Sequence, residues 1–311
     1  NSYYSGGIIN GNLYLGTTRI TAVGFVIAIA DLETLNYVPN ANYYGTDSFT
    51  WHALDKDDLA TTTKTATFSV NSINDAPTIS VSTPSGFTES TDINNQTLTQ
   101  SGTVTFNDID NNVNITYNYN NDISWSGGTL DSAVSAALIS GFSTGATNVS
   151  SGTTTWNYNV NNIDLNFLAQ GETITLSYMV TVTDLSGVTD TETISFIITG
   201  TNDAPTVSFE NIDDKTPFGK DFVKETAYLF SDKDLTNVFT FEALNLPRGL
   251  VIDPNTGVIS GRAKESGVFD ITLIGRDSGN PSLSISRTFS LLVIAPPQPD
   301  TTVVVEPPRI S

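Results

Sequence analysis

Wherever this chain is regular, apolar residues return at every second position. Across residues 173–183, Thr-Ile-Thr-Leu-Ser-Tyr-Met-Val-Thr-Val-Thr sets Ile174, Leu176, Tyr178, Val180 and Val182 on one face and mostly hydroxyls on the other. A period of two is that of a strand with one face buried. The same alternation predicts strands at 46–54, 64–70, 101–106, 191–199, 221–230, 268–274 and 285–294. Gly, Asn, Asp and Ser, the residues that reverse a chain, separate them. The one helical stretch, residues 131–139, is short and contains serine, so a turn at most is expected there. The predicted fold class is all-β, and short strands between polar turns favour Greek-key β-sandwiches.

A five-residue phrase divides the chain. Ile73-Asn74-Asp75-Ala76-Pro77 and Thr201-Asn202-Asp203-Ala204-Pro205 each close a β-branched run and each precede a new one. Proline cannot continue a central strand and holds its predecessor extended, while Asn and Asp put short oxygen-bearing side chains where two modules would meet. The chain reads as a linear array of domains at 1–77, 78–205 and 206–295. Pro296-Pro297-Gln298-Pro299 and Glu306-Pro307-Pro308 make 296–311 an extended linker.

Charge narrows the partners. With 33 acidic and 13 basic residues the net charge is -20, which repels nucleic-acid phosphates and anionic lipid. The absence of cysteine removes disulfides, thiolate chemistry and cysteine zinc sites. No apolar run approaches the roughly 18 residues of a membrane span, so no direct membrane insertion is expected. Opening at Asn1 without a methionine or leader, the chain reads as a piece of something longer.

Leu35-Asn36-Tyr37-Val38-Pro39-Asn40-Ala41-Asn42-Tyr43-Tyr44-Gly45-Thr46-Asp47-Ser48-Phe49-Thr50, running on to Asn74-Asp75-Ala76-Pro77, is the first of three blocks that resemble the tandem cadherin-like and Ig-like repeats of giant bacterial surface adhesins, including the RTX type. It resembles the second half of such a repeat, which implies that segment 1 lacks N-terminal strands and has an edge to expose or cover. The second segment is similar to a VCBS-type repeat through Leu168-Ala169-Gln170-Gly171-Glu172-Thr173, Val182-Thr183-Asp184-Leu185-Ser186-Gly187 and Thr199 to Pro205, with a divergent middle. The third resembles the dystroglycan-type or "putative Ig" repeat through Leu246-Pro247-Arg248-Gly249-Leu250, residues 255–261 and residues 277–284.

In a seven-strand sandwich the BC and FG loops lie beside the incoming linker and the EF corner lies at the far end. That topology predicts which acids meet. At the first joint Asp108 and Asp110 (BC) and Asp184 (FG) face Asn74 and Asp75, with Asp47 approaching from segment 1. At the second, Asp232, Asp234 and Asp277 face Asn202 and Asp203, and Glu172 and Glu89 of segment 2 complete the set. Five or so crowded carboxylates repel without a cation. Alternating Asp-x-Asp, oxygen donors and no thiol or nearby histidine point to Ca²⁺ over Mg²⁺, which demands a rigid octahedron. The bland reading is that each Asp merely caps its own turn. Asp57 and Asp58 suggest a third joint more weakly.

Catalysis finds little support. The single histidine, His52, sits inside an alternating strand and is expected to pack on Trp51 or face solvent, and no Gly-x-Ser-x-Gly elbow exists. Paired acids for glycoside hydrolysis would fall on loops assigned to metal. The expectation is therefore no enzyme. It is an extracellular, bacterial cell-surface extender in adhesion or biofilm, contacting neighbouring repeats of its own chain and carrying an element that meets a host or biofilm surface ligand. The competing reading is a sugar- or peptide-binding module using Trp125 and Trp156, unless both tryptophans fill the core.

Overall fold

The computed structural model describes residues 2–55, 57, 59–91 and 94–298. Asp58 and the proline-rich stretch from Pro299 onward lie outside the described residues. Within them the chain is three successive all-β units joined by irregular linkers at 71–77 and 200–205.

Segment 1 contains β1 (Ser2–Gly6), β2 (Gly11–Leu15), β3 (Thr18–Arg19), β4 (Val26–Ile27), β5 (Leu35–Pro39), β6 (Gly45–Ala53) and β7 (Lys64–Val70). They form a β4-β1-β6-β7 sheet and a β3-β2-β5 sheet. β6 and β7 pair from Gly45↔Val70 to Trp51↔Lys64, the hairpin that alternation predicts. The core between the sheets is thin. Among the described residues its buried apolar cluster is Leu13, Ile20 and Ile27, with Tyr4, Tyr37 and Phe49 among the residues packed on them.

Segment 2 holds β8 (Thr78–Val81), β9 (Phe87–Thr88), β10 (Gln96–Asn107), β11 (Val113–Tyr119), β12 (Ser124–Trp125), β13 (Phe142–Thr144), β14 (Ser151–Ile163), β15 (Thr173–Asp184) and β16 (Thr189–Thr199). A β13-β14-β10-β8 sheet packs on a β11-β15-β16-β9 sheet, with β12 added to β15. The first stretch of the unit changes sheets: β8 pairs antiparallel with β10, and after Gly86 β9 pairs parallel with β16. All five inward residues of β15 are 1% exposed or less. Around them lies an aromatic core in which Phe196 stacks on Tyr158 at 4.3 Å and Phe142 on Tyr178 at 4.3 Å.

Residues 131–139 exceed expectation. Ser132–Ile139 is an α-helix, α1, because Asp131 caps it, accepting from the N–H groups of Ala133 and Val134 at 2.8 and 3.3 Å. Tertiary contacts supply what so short a helix lacks in water. Leu138 is fully buried, and the hydroxyls of Tyr158 and Tyr178 donate to its carbonyl.

Segment 3 contains β17 (Thr206–Val207), β18 (Asp214–Pro217), β19 (Asp221–Glu225), β20 (Phe230–Ser231), β21 (Thr240–Leu244), β22 (Leu250–Ile252), β23 (Val258–Arg262), β24 (Gly267–Arg276) and β25 (Ser284–Ile294). Its sheets run β18-β25-β24-β21, β19-β23-β22 and β17-β20. The strand expected across 221–230 is broken. At Thr226 the hydroxyl turns inward to donate to the Gly257 carbonyl at 2.6 Å, and a 3₁₀ turn at Ala227–Leu229 separates β19 from β20. Among the described residues no helix is long and apolar enough to cross a membrane.

Phe196 ties both sheets of segment 2 together, touching Trp156, Tyr158 and Tyr178. Phe196→Ala should cost about 3–5 kcal/mol of stability, read by denaturant unfolding. A loss within the error of the measurement would contradict this packing.

Candidate functional site

The acids of each joint sit where strands end. β10 runs out into Asp108, β15 ends on Asp184, and the linker lies across both. Asp108 accepts from the N–H groups of Asp110 and Asn111 at 2.8 Å each, a local turn that aims Asp110 outward. Asp110 accepts from the Asp75 N–H at 2.7 Å, and the Asn74 amide donates to Asp184 at 2.6 Å. The Asn74 carbonyl oxygen accepts from Asn111 at 2.7 Å and from Ser186 at 2.8 Å.

The second joint repeats the core of this plan. Asp232 accepts from the Asp234 N–H at 3.0 Å, Asp234 accepts from the Asp203 N–H at 3.0 Å, and Asn202 donates to Asp277 at 3.0 Å. Asn237 donates to the Asn202 carbonyl oxygen at 3.2 Å, as Asn111 does to Asn74. A capping role alone would serve each Asp-x-Asp within its own loop. It gives no reason for the linker to be tied to the second acid and to the acid after the later strand at both joints.

Segment 2 also brings its far end to the second joint. Glu89, 4% exposed, accepts from the Thr201 N–H at 3.1 Å. Its burial, opposed by that bond and reinforced by Asp203, Asp234 and Asp164, pushes its carboxyl up to about 8. Burial likewise pushes Asp234 up to about 7, with Asp232, Asp203 and Asp277 adding to it against the Asp203 N–H. Burial also raises Asp232, with Asp277 contributing. Asp184 at the first joint moves the other way: burial raises it, but bonds from Asn74 and the Val188, Ser186 and Gly187 N–H groups outweigh that and lower it.

Among the described residues, joint oxygens buried without a hydrogen-bond partner include Asp108 Oδ2, Glu89 Oε1 and Asp234 Oδ1. Such orphans are costly for a protein to bury. The dense convergence of about five carboxylates expected from sequence is not formed, since among the described residues no three Asp, Glu, His or Cys side chains meet at metal-binding reach. The acids are instead tied individually to the linker's Asn amides and Asp N–H groups.

Two expected ligands have their oxygens taken up by protein donors. Asp47 accepts from the Ser48 N–H at 2.8 Å, the Tyr37 hydroxyl at 2.9 Å and the Asn10 N–H at 3.1 Å, all within segment 1. Burial, together with Asp47, pushes Tyr37 up to about 12. Glu172 accepts from the Trp125 indole at 3.0 Å, the Ala169 N–H at 3.2 Å and, across the joint, the Thr236 hydroxyl at 2.6 Å. It works as a latch between segments.

Sequence reasoning passed over Asp164 and Asn166. Asp164 acts on Glu89 electrostatically, and Asn166 is 2% exposed with its Oδ1 buried and unpartnered. Asp164-Leu165-Asn166 is an Asp-x-Asn alternation at the far end of segment 2, the signal that could have found them.

The other candidates separate. Trp156 is 1% exposed inside the core, so it cannot form a ligand platform, and Trp125 is turned toward Glu172 and Phe167. His52 stacks on Tyr3, centroids 5.4 Å apart, instead of Trp51, and its Nδ1 lies 2.9 Å from the Ser5 hydroxyl. At the opposite end of segment 1 from the first joint, Asp55 accepts from the N–H groups of Asp57 and Leu59, an ordinary turn.

Residues 220–294 match the family described as "Putative Ig domain". No curated protein matches the chain. Among solved structures, extracellular cadherin domains 1–5 of protocadherin gamma B2 align over 86% of this chain and 49% of theirs, at 17% identity and a TM-score of 0.47. Protocadherin gamma C5 EC1–3 aligns over 87% of this chain and 82% of its own, at 14% identity and a TM-score of 0.42. A "putative alpha-galactosidase" from Bacteroides fragilis NCTC 9343 aligns over 29% of this chain and 17% of its own, at 21% identity and a TM-score of 0.24. The chain thus spans just under half of the first of these structures.

Gly279 makes the seat of Asn202. A Cβ there would lie 1.8 Å from the Asn202 Oδ1, so Gly279→Ala must displace the amide from Asp277 and from the Pro281 carbonyl. The expected loss is about 1–3 kcal/mol in denaturant unfolding. Adding Asn202→Ala should then cost little more; fully additive losses would contradict the shared seat.

Proposed function

We propose that this chain is an extender: consecutive sandwich repeats of a large secreted or surface-anchored bacterial adhesin, stiffened at their joints by Ca²⁺ and holding an adhesive element away from the cell. The observation that carries this reading is the duplicated joint, in which the same linker Asn and Asp engage the same two loops in both copies. The adhesin context and the extracellular location draw their support from the repeat-like sequence blocks and from the Ig-like family match of segment 3.

The donor set suits Ca²⁺. Every candidate ligand is a carboxylate or amide oxygen, in loops that leave room for main-chain carbonyls and water. Asp108, Asp110, Asp184 and Asn74 would hold the ion of the first joint. Asp203, Asp232, Asp234, Asp277 and Asn202, with Glu89, Asp164 and Asn166 from segment 2, would hold those of the second. A cation supplies the partner that the buried oxygens of Asp108, Glu89 and Asp234 lack and offsets both the burial and the added repulsion that raise Glu89 and Asp234. Affinities on the order of 10⁻⁴ to 10⁻³ M are typical of extracellular calcium modules. No catalytic role is proposed: the acids are engaged at joints, and His52 lies in a strand against Tyr3 and Ser5.

A cation bound only to the folded chain adds RT ln(1 + [Ca²⁺]/Kd), about 0.4–1.4 kcal/mol per site at a one- to tenfold excess over its Kd, so millimolar Ca²⁺ should raise the melting temperature reversibly. Asp234→Asn removes a crowded charge and keeps an acceptor for the Asp203 N–H. It should raise the melting temperature in chelator and shrink the gain from Ca²⁺. A wild-type melting temperature indifferent to Ca²⁺ would contradict the proposal.

A further inference from the structure

We infer that the two joints are unequal: Ca²⁺ locks segment 3 onto segment 2, while segment 1 keeps swinging about the start of its linker. This rests on the calcium reading above and confines the stiffening, of the two joints described, to the second.

The linkers differ first. Residues 71–76 are all exposed, whereas Gly200, Asn202, Asp203 and Pro205 are buried. The second joint is also bridged directly, segment to segment. Thr236 donates to Glu172 at 2.6 Å, the Asn280 N–H to Gln170 at 2.7 Å, Lys233 to Asn94 at 3.1 Å and the Leu235 N–H to the Phe167 carbonyl at 3.3 Å. Glu89 and Asp164 add carboxylates from segment 2 to those of the linker and segment 3, so a cation there has ligands on both sides.

The first joint has ligands on one side only. Asn74 and Asp75 are fastened to Asp184 and Asp110, which ties the linker to segment 2. The loops of segment 1 at that end, residues 7–10 and 40–44, contain no carboxylate. Asp47, the acid nearest them, is consumed by Tyr37, Asn10 and Ser48. The hydrogen bonds of these loops, from Asn10 to Asp47, Asn40 to the Asn10 carbonyl and Tyr43 to the Asn40 and Thr46 carbonyls, stay within segment 1. Between the two bodies lies an open cleft with Pro39, Asn40, Tyr43 and Tyr44 on one wall and Asp75 and Asp110 on the other. An ion bound by Asp108, Asp110 and Asp184 therefore pins the linker from Asn74 onward and leaves residues 71–73 as a swivel.

Because the chain has no cysteine, spin labels can be placed at will on exposed strand positions. Thr67→Cys with Thr153→Cys spans the first joint, and Thr153→Cys with Ser286→Cys spans the second. Double electron–electron resonance on the full chain should give a second-joint distance distribution that narrows on adding millimolar Ca²⁺ and broadens again on chelation. The first-joint distribution should keep its width throughout. Adding Glu89→Gln and Asp164→Asn should broaden the second toward the first. Narrowing at both joints would overturn the inequality while leaving calcium binding standing. Narrowing at the first joint alone would also overturn it, and narrowing at neither would overturn it together with the calcium reading.

Discussion

Everything in this chain turns on how a linker is fastened to the next sandwich. A main-chain N–H and a side-chain amide, supplied by consecutive Asn and Asp residues, reach two carboxylates on separate loops of the following unit. At the second joint these groups are buried, so the bonds form in a medium where charge is poorly screened and each acid raises the energy of its neighbours. The arrangement holds direction but stores repulsion. A hard cation would offset that repulsion, the property that suits oxygen-rich joints to the proposed stiffening role.

The three units differ in how much core they can offer that task. Segment 2 surrounds four aromatic side chains, each 1% exposed or less, with two long-stranded sheets, and its helix α1 closes one side. Segment 3 is smaller but continuous. Segment 1 buries three apolar residues and depends on polar ties such as Asp47 to Tyr37 for its lower end. A well-packed middle unit carrying acids at both ends can act as the rigid member of the array, and a thin unit on an exposed linker cannot.

Much of this was legible because it is local. The strand from Thr173 alternates strictly, and its burial follows residue by residue; Asp-x-Asp beside a strand end and Asn-Asp before proline are likewise short-range patterns whose topology brings them together. What escaped depended on distant partners. Nothing near Thr226 announces that Gly257 will take its hydroxyl and break a strand. Asp131 looks like any turn residue until Leu138 finds the core. Asp47 and Glu172 have the right chemistry in the right corners, but Tyr37, Trp125 and Thr236 claim their oxygens, and no sequence spacing reveals that. Asp164 and Asn166 carry the same alternation as Asp108 and Asp110, but in a loop that reads as an ordinary corner.

The most direct test is calorimetric titration of the full chain with Ca²⁺ after exhaustive chelation. The account predicts saturable binding, with the portion assigned to the second joint lost in Asp203→Ala and the remainder lost in Asp108→Ala. A titration without binding heat, paired with equilibrium dialysis that finds no retained Ca²⁺, would contradict it.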